Sequence, residues 1–516
     1  MSKPIQDAGL LGDLPEQEFR AALHQAAEWA ADYRSSIGGR PISAHGQPGD
    51  VSAQLPPSIP KLPVPIETVV RDFEQLILPN LVHWGHPAFL GYFGSTTTAP
   101  GILGEMIAAT LNVSAMTWAT SPAATELESV VLRWLREMLQ LPEKFFGIVY
   151  DTASVATLHA LAAARESLPL NIRTLGLTGR QDLPRLRIYA SDQAHSSIVK
   201  AAITLGIGEI NVKRIVSDAL FRLDLNALKL AVQHDRSAGY LPLAVVATVG
   251  TTSAAAVDPI PEIAAFCKAE KIWLHVDAAY GGAMALLPEG RQLMNGVSEA
   301  DSVVVNPHKW LFVPLDFSTL YTTHPALLRE VFSLVPEYLR GDAEQAETNY
   351  MDYGIQLGRR FRALKAWMVF SAFGETGLVA RIREHIRLAR LFATWIENDN
   401  DFELLAPVEM GVVCFRAIIA DSDGDNLVER TNELNRLIVK SVNATGQAFL
   451  THTVLNQNTA MRIAVGNVLT TEQHLAAVFS LIREELQSQR NTSNSSASST
   501  SSDSTRILVN PEMLSR

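Results

Sequence analysis

Between residues 145 and 320 short apolar runs alternate with helical stretches, and no other feature of this 516-residue chain narrows its fold as far. The runs are FFGIVY (145–150), LRIYA (186–190), INVKRIV (210–216), LAVVATV (243–249), IWLHV (272–276) and SVVVN (302–306). Most lack the alternation of a strand with one wet face, which predicts strands buried on both faces of a mostly parallel sheet. Segments such as VATLHALAAARE (155–166) and PEIAAFCKAE (261–270) read as helices between them and complete an α/β pattern.

The flanks differ. Upstream, PEQEFRAALHQAAEWAADYR (15–34) places Phe19, Leu23, Ala26 and Ala30 at helical spacing. A Pro/Gly/Ser-rich stretch (36–65) follows and suits an extended arm ordered by a partner surface. Residues 99–141 read as helices interrupted around Ser121 and Pro122. After residue 375 a smaller α/β region begins. Its helices lie near 381–398 and 426–443, and its strand candidates are GVVCFRAI (411–418), AFLTHTVL (448–455) and AMRIAV (460–465). The run RNTSNSSASSTSSDSTR (490–506) is too poor in apolar groups to offset its ordering entropy. The expected organisation is an arm (1–98), a large α/β domain (99–375), a small α/β domain (376–488) and a disordered Ser-rich tail (489–516).

Composition bounds the partners. A formal net charge of −11 argues against nucleic acid or an anionic membrane. The two cysteines, Cys267 and Cys414, are too few for a disulfide framework or a cysteine metal site and read as buried thiols of a reduced compartment. The N-terminus lacks a secretory apolar region, and the apolar runs are too short to span a bilayer, so a cytoplasmic protein without metal is expected.

Polar residues cluster where each apolar run ends. Asp151, Thr152, Ala153 and Ser154 follow the first run, and Ser191 to His195 follow the second. Thr251 and Thr252 follow LAVVATV, Asp277 to Tyr280 follow IWLHV, and Pro307, His308 and Lys309 follow SVVVN. In open α/β sheets ligands sit beyond the carboxyl ends of strands, so these clusters should converge. A single one is as well explained by a helix cap. Five of them, holding a lysine, aspartates and two histidines, are not.

Their chemistry is specific. A partly desolvated lysine amine forms an imine with an aldehyde cofactor. In pyridoxal 5'-phosphate (PLP) chemistry an acidic residue keeps the pyridine nitrogen protonated, which makes the ring an electron sink. Lys309 and Asp277 suit these roles. Thr152, Ala153 and Ser154 open a helix, whose free N–H groups suit the cofactor phosphate.

Six stretches together resemble the group II PLP-dependent decarboxylases, most closely the aromatic-L-amino-acid decarboxylases. They are WATSPAATELE (118–128), SDQAHSS (191–197), ATVGTT (247–252), HVDAAYGG (275–282), NPHKW (306–310) and LGRRFRALK (357–365). The resemblance implies the aspartate-aminotransferase-like transferase fold (fold type I). It implies that Lys309 carries PLP as an imine, Asp277 meets the pyridine nitrogen, His195 stacks on the ring and Ala279 packs opposite. Ala153, Ser154, Asn306 and His308 would hold or flank the phosphate, and Thr252 would lie near the ring. Tyr338, in PEYLR (336–340), resembles the tyrosine of the family's catalytic loop, which protonates Cα after carbon dioxide leaves. Oxidative aldehyde synthases of the family typically alter that tyrosine or the stacking histidine, and here both stand. Other PLP classes share the aspartate and lysine but not NPHKW with LGRRFRALK.

Two departures bear on the site. The family's usual Gly-Ser-Ala-Ser is here Asp151-Thr152-Ala153-Ser154, with a carboxylate beside a phosphate site from which it is expected to point away. Ser114 and Met116 replace bulkier groups that line the substrate pocket from the neighbouring subunit of the family's homodimer. Gly358 matches the aromatic decarboxylases and leaves room for a large ring, and Tyr92, Phe93 and Ser95 are compatible with one. The expected reaction is decarboxylation of an L-amino acid, with DOPA, tryptophan, 5-hydroxytryptophan and tyrosine as candidates. An aldehyde synthase, or a decarboxylase of histidine or an acidic amino acid, is the alternative. Arg462 aligns with an arginine that meets the substrate carboxylate in some relatives.

Overall fold

The computed structural model describes residues 12–43, 46–94, 97–334, 348–419 and 426–500, the last nine of these by backbone alone. Seven strands form the main sheet: β1 Phe146–Tyr150, β2 Arg185–Ser191, β3 Val212–Ile215, β4 Tyr240–Thr248, β5 Trp273–Asp277, β6 Ser302–Val305 and β7 Ser318–Thr322. Their order is β1-β7-β6-β5-β4-β2-β3. β7 runs antiparallel to both neighbours and the remaining pairs are parallel. Every apolar run read from the sequence is a strand.

β7 escaped that reading because its sequence, STLYT, is mostly polar. Its hydroxyls are buried but satisfied: Ser318 donates to Asn306 Oδ1 at 2.6 Å, Thr319 to the Val305 carbonyl at 3.2 Å and Thr322 to that of Asp301 at 3.0 Å. A buried hydroxyl with a good acceptor costs little, so a central strand can carry it.

The smaller sheet, antiparallel throughout, comprises β8 Phe402–Leu404, β9 Val412–Ala417, β10 Thr451–Leu455 and β11 Asn458–Ala464, in the order β10-β11-β9-β8. Asn456 and Gln457 both take positive φ (48° and 68°) and close β10 onto β11 with a two-residue turn. β8, three residues long, gave no pattern to read.

A kinked helix, Arg362–Glu397, links the two parts, with Gly374 (φ 62°, ψ 170°) at the break. The core divides further along it: Ile386 packs in the large cluster and Leu388 in the small one. Part of the expected arm belongs to the small core. Ile42, Ala88, Phe89 and Leu90 are buried there, and Leu90 bonds Phe449 and Ala464 through its backbone (2.9 and 2.8 Å). The helix Glu472–Thr500 keeps a helical backbone across the start of the Ser/Thr run, where composition predicted disorder. Among the described residues no helix is long and apolar enough to cross a membrane.

Candidate active site

β1, β2, β4, β5 and β6 share one direction, so the polar residues after them open on one edge of the sheet. Lys309 lies on the single turn Pro307–Trp310 after β6, where proline at its start and Asn306 before it favour a helical entry. Asp277 closes β5, buried, with Oδ1 accepting from the Ala279 N–H at 3.0 Å. His195 stands open in the turn after β2, its Nδ1 accepting the Ser197 N–H at 3.2 Å. Thr252 is exposed in the turn after β4.

Beneath the lysine three aromatic rings are layered. Trp310 stacks on Tyr280 at 4.7 Å and Tyr280 on Phe93 at 4.0 Å. Lys309 Nζ lies 5.0 Å from the Phe93 ring centre and Arg462 Cζ 4.7 Å from it. Lost hydration holds the Lys309 ammonium below its ordinary pKa; Asp277 opposes this shift and Arg462 adds to it. His195 is also held low by desolvation, against the pull of Asp277. The charges of Asp277 and Lys309 thus both act on His195.

A cavity of about 720 Å³ opens above Lys309. Tyr92, His195, Thr252 and Lys309, all expected site residues, line it. Trp84, Phe449 and His452 line it too and were not read from the sequence, because the 84–93 segment and β10 meet only in the folded chain. One local sign existed: a side chain at Gly91 would strike the Phe449 ring at 2.7 Å, so the glycine permits the close approach.

Other expected residues sit elsewhere. Thr152 precedes the helix Ala153–Glu166, Ala153 is half-buried and Ser154 exposed. Asn306 Oδ1 accepts from Ser318, and His308 Nδ1 accepts from the Phe317 N–H at 3.0 Å. Ala279 is buried behind Asp277. Met116 and Gly358 do not border the cavity; they flank the bridge between Ser114 and Arg360, and a Cβ at Gly358 would meet nothing within 4 Å. Ser95 and Tyr338 lie outside the described residues.

The groups left without partners test the fit of the expected cofactor. Among the described residues Lys309 Nζ makes no hydrogen bond or ion pair, and buried Asp277 has no cationic partner within ion-pairing distance. Thr248 Oγ1, across the sheet from Asp277, is buried without a partner. Arg462, 4% exposed, donates to the Ser253 and Tyr92 carbonyls (3.0 and 2.6 Å), while its Nη2 is buried and unbonded. A free amine, a carboxylate awaiting a cation and a guanidinium awaiting an anion suit PLP with an amino acid above it. Site and topology together define a PLP-dependent enzyme of fold type I.

The comparisons carry the assignment further. The pyridoxal-dependent decarboxylase conserved domain matches residues 48–418. Tryptophan decarboxylase 2 of Oryza sativa subsp. japonica is 39% identical over 485 residues, 92% of this chain and 96% of that protein. Phenylacetaldehyde synthase of a Rosa hybrid cultivar is 36% identical over 496 residues, 94% and 96% of the two chains. The crystal structure of Oryza sativa TDC with PLP and tryptamine superposes with a TM-score of 0.88 at 35% identity, covering 93% of this chain and 99% of that one. The chain belongs to the pyridoxal-dependent decarboxylase family, and its cofactor is PLP.

Proposed function

We propose that this enzyme converts an aromatic L-amino acid, of the tryptophan, 5-hydroxytryptophan, tyrosine or DOPA type, into its amine and carbon dioxide. The carrying observation is the cavity above Lys309, which is lined by Trp84, Tyr92, Phe93 and Phe449 and by Arg462, whose Nη2 has no partner among the described residues. Aromatic walls favour a flat ring by stacking. The names of the relatives, a tryptophan decarboxylase among them, support the same substrate class.

PLP, when bound, supplies an electron sink for the pair released from the Cα–carboxylate bond. Lys309 would hold the cofactor aldehyde, its amine shifted below its ordinary pKa by lost hydration. Asp277 would hold the proton of the pyridine nitrogen. His195 and Ala279 would pack on the ring, Thr152, Ala153, Ser154, Asn306 and His308 would hold the phosphate, and Thr252 would lie near the ring. Arg462 offers the substrate carboxylate a charged donor before it departs as carbon dioxide. A proton then replaces it at Cα, a transfer we assign to Tyr338 by its match to the family motif.

Met116 and Gly358 complete the ring pocket in this reading, from the partner of a cytoplasmic homodimer, and Ser95 is assigned to it from the sequence alone. An exposed apolar stripe on the helix Ala99–Leu111 (Leu103, Met106, Ile107 and Leu111) supports a subunit contact on that side.

The test is to incubate holoenzyme with a panel of amino acids and measure carbon dioxide, amine, peroxide and ammonia. Amine with equimolar carbon dioxide is expected for aromatic substrates. Aldehyde with peroxide and ammonia would make the protein an aldehyde synthase instead. Tyr338→Phe should lose amine formation and gain the oxidative products.

A further inference from the structure

Asp151 occupies the position between β1 and the helix Ala153–Glu166 where the phosphate-binding turn begins. Its carboxylate does not stand idle. Oδ1 accepts both the Thr152 N–H (2.5 Å) and the Thr152 hydroxyl (3.1 Å), and Oδ2 accepts the Gln356 amide (3.1 Å). Among the described residues no lysine or arginine is paired with it. The first intrahelical bond is Ala156 N–H to the Thr152 carbonyl (3.1 Å), so the N–H groups of residues 153 to 155 remain for an anion.

A threonine hydroxyl has one proton to give. Here it goes to Asp151, so Thr152 can present only lone pairs to an anion at the same turn. A carboxylate also stands next to that anion, and like charges this near oppose each other even at the effective dielectric of a protein surface. Both effects act on the phosphate and neither acts on the pyridine ring.

We propose that Asp151 is an internal competitor at the phosphate turn: it withdraws the Thr152 proton, repels the phosphate dianion and makes PLP a weakly retained, exchangeable cofactor. The proposal rests on the cofactor phosphate lying at the turn formed by Thr152, Ala153 and Ser154. Asp151 is thus a positioning residue, acting through Thr152 and through charge.

The experiment measures dissociation constants of PLP and of pyridoxal, which lacks the phosphate, by absorbance titration of apoenzyme, with inorganic phosphate as competitor. Asp151→Asn, which removes the charge and keeps one oxygen to accept from Thr152, should tighten PLP about tenfold. Pyridoxal affinity should stay the same, and inorganic phosphate should compete more strongly. Asp151→Gly, which frees Thr152 altogether, should act in the same direction and serves if Asp151→Asn does not accumulate. PLP affinity unchanged or weakened in both variants would overturn the proposal. So would equal changes for PLP and pyridoxal, which would mark Asp151 as merely structural. Wild-type protein that takes up pyridoxal but shows no phosphate-dependent affinity would remove the phosphate from this turn, and the proposal with it. Wild-type protein that binds neither would overturn the cofactor assignment itself.

Discussion

Arg359 grips Glu128 with two prongs inside the protein, Nη2 to Oε1 at 2.6 Å and Nη1 to Oε2 at 3.1 Å, across 231 residues of sequence. The second N–H of each Nη reaches a carbonyl, Nη1 that of Ala115 (2.8 Å) and Nη2 that of Val149 (2.9 Å), and Glu128 also accepts the Val149 N–H at 3.2 Å. Two of the six family stretches, ending in Glu128 and opening around Arg359, are thereby tied to β1. Through Val149 this pair braces the strand whose end carries Asp151 and Thr152.

Removing Glu128 would leave a buried, unpaired guanidinium. Glu128→Ala should cost about 3–5 kcal/mol of unfolding free energy. Replacing both partners, as in Glu128→Leu with Arg359→Met, should cost clearly less, because no charge is then stranded. Urea unfolding of the three proteins decides this, and equal losses for single and double variants would contradict it.

Burial sets the pH response of stability. His159 and His275 are held down to about 4 and His308 to about 3, in each case chiefly because burial strips the imidazolium of water. Each folded pKa lies below the unfolded value of about 6.5, so the unfolded chain binds more protons. Their stabilisation is complete above about pH 6.5 and should fall as pH drops from there toward 4, by ~1–3 kcal/mol per histidine. Urea midpoints across that range give the slope. His159→Phe, with its ring still set between Tyr150 and Phe332, should make the slope shallower.

Lys309→Ala should abolish both turnover and the visible absorption of the lysine-bound cofactor. Asp277→Asn should keep that absorption and lower kcat by about 10²–10³-fold, since it removes a charge needed as electrons reach the ring. Persistence of the lysine-bound spectrum in Lys309→Ala would displace Lys309 from its role. Unchanged turnover in Asp277→Asn would do the same for Asp277.

Trp84 stacks on Tyr92 at 5.4 Å and nearly parallel, yet is 44% exposed toward the cavity. Trp84→Ala should therefore raise KM for an aromatic amino acid about tenfold while leaving kcat and the unfolding midpoint nearly unchanged. A fall in stability with KM unmoved would make the ring part of the scaffold and not a substrate wall.

Much of this was legible in the residue order. Strands buried on both faces need continuous apolar runs, so β1, β2, β4, β5 and β6 announced themselves, whereas β3 (VKRI) is an edge strand with two exposed residues; ligand chemistry at the carboxyl ends followed from the shared strand direction. β7 did not, because its hydroxyls look like loop until their acceptors at Asn306, Val305 and Asp301 are known. Asp151 shows the same limit at the site. Its charge was visible as a departure, but whether it faced solvent or the Thr152 hydroxyl depended on the turn and on Gln356 from a distant segment.

By itself, then, the sequence determined the strand-and-helix alternation, the lysine and carboxylate at neighbouring strand ends, and hence the cofactor chemistry, because those depend on local pattern and side-chain identity. Tertiary structure alone decided the aromatic wall of Trp84 and Phe449, the spare Nη2 of Arg462 and the Arg359–Glu128 brace. Each joins residues far apart in the chain, and packing, not local propensity, brings such groups together.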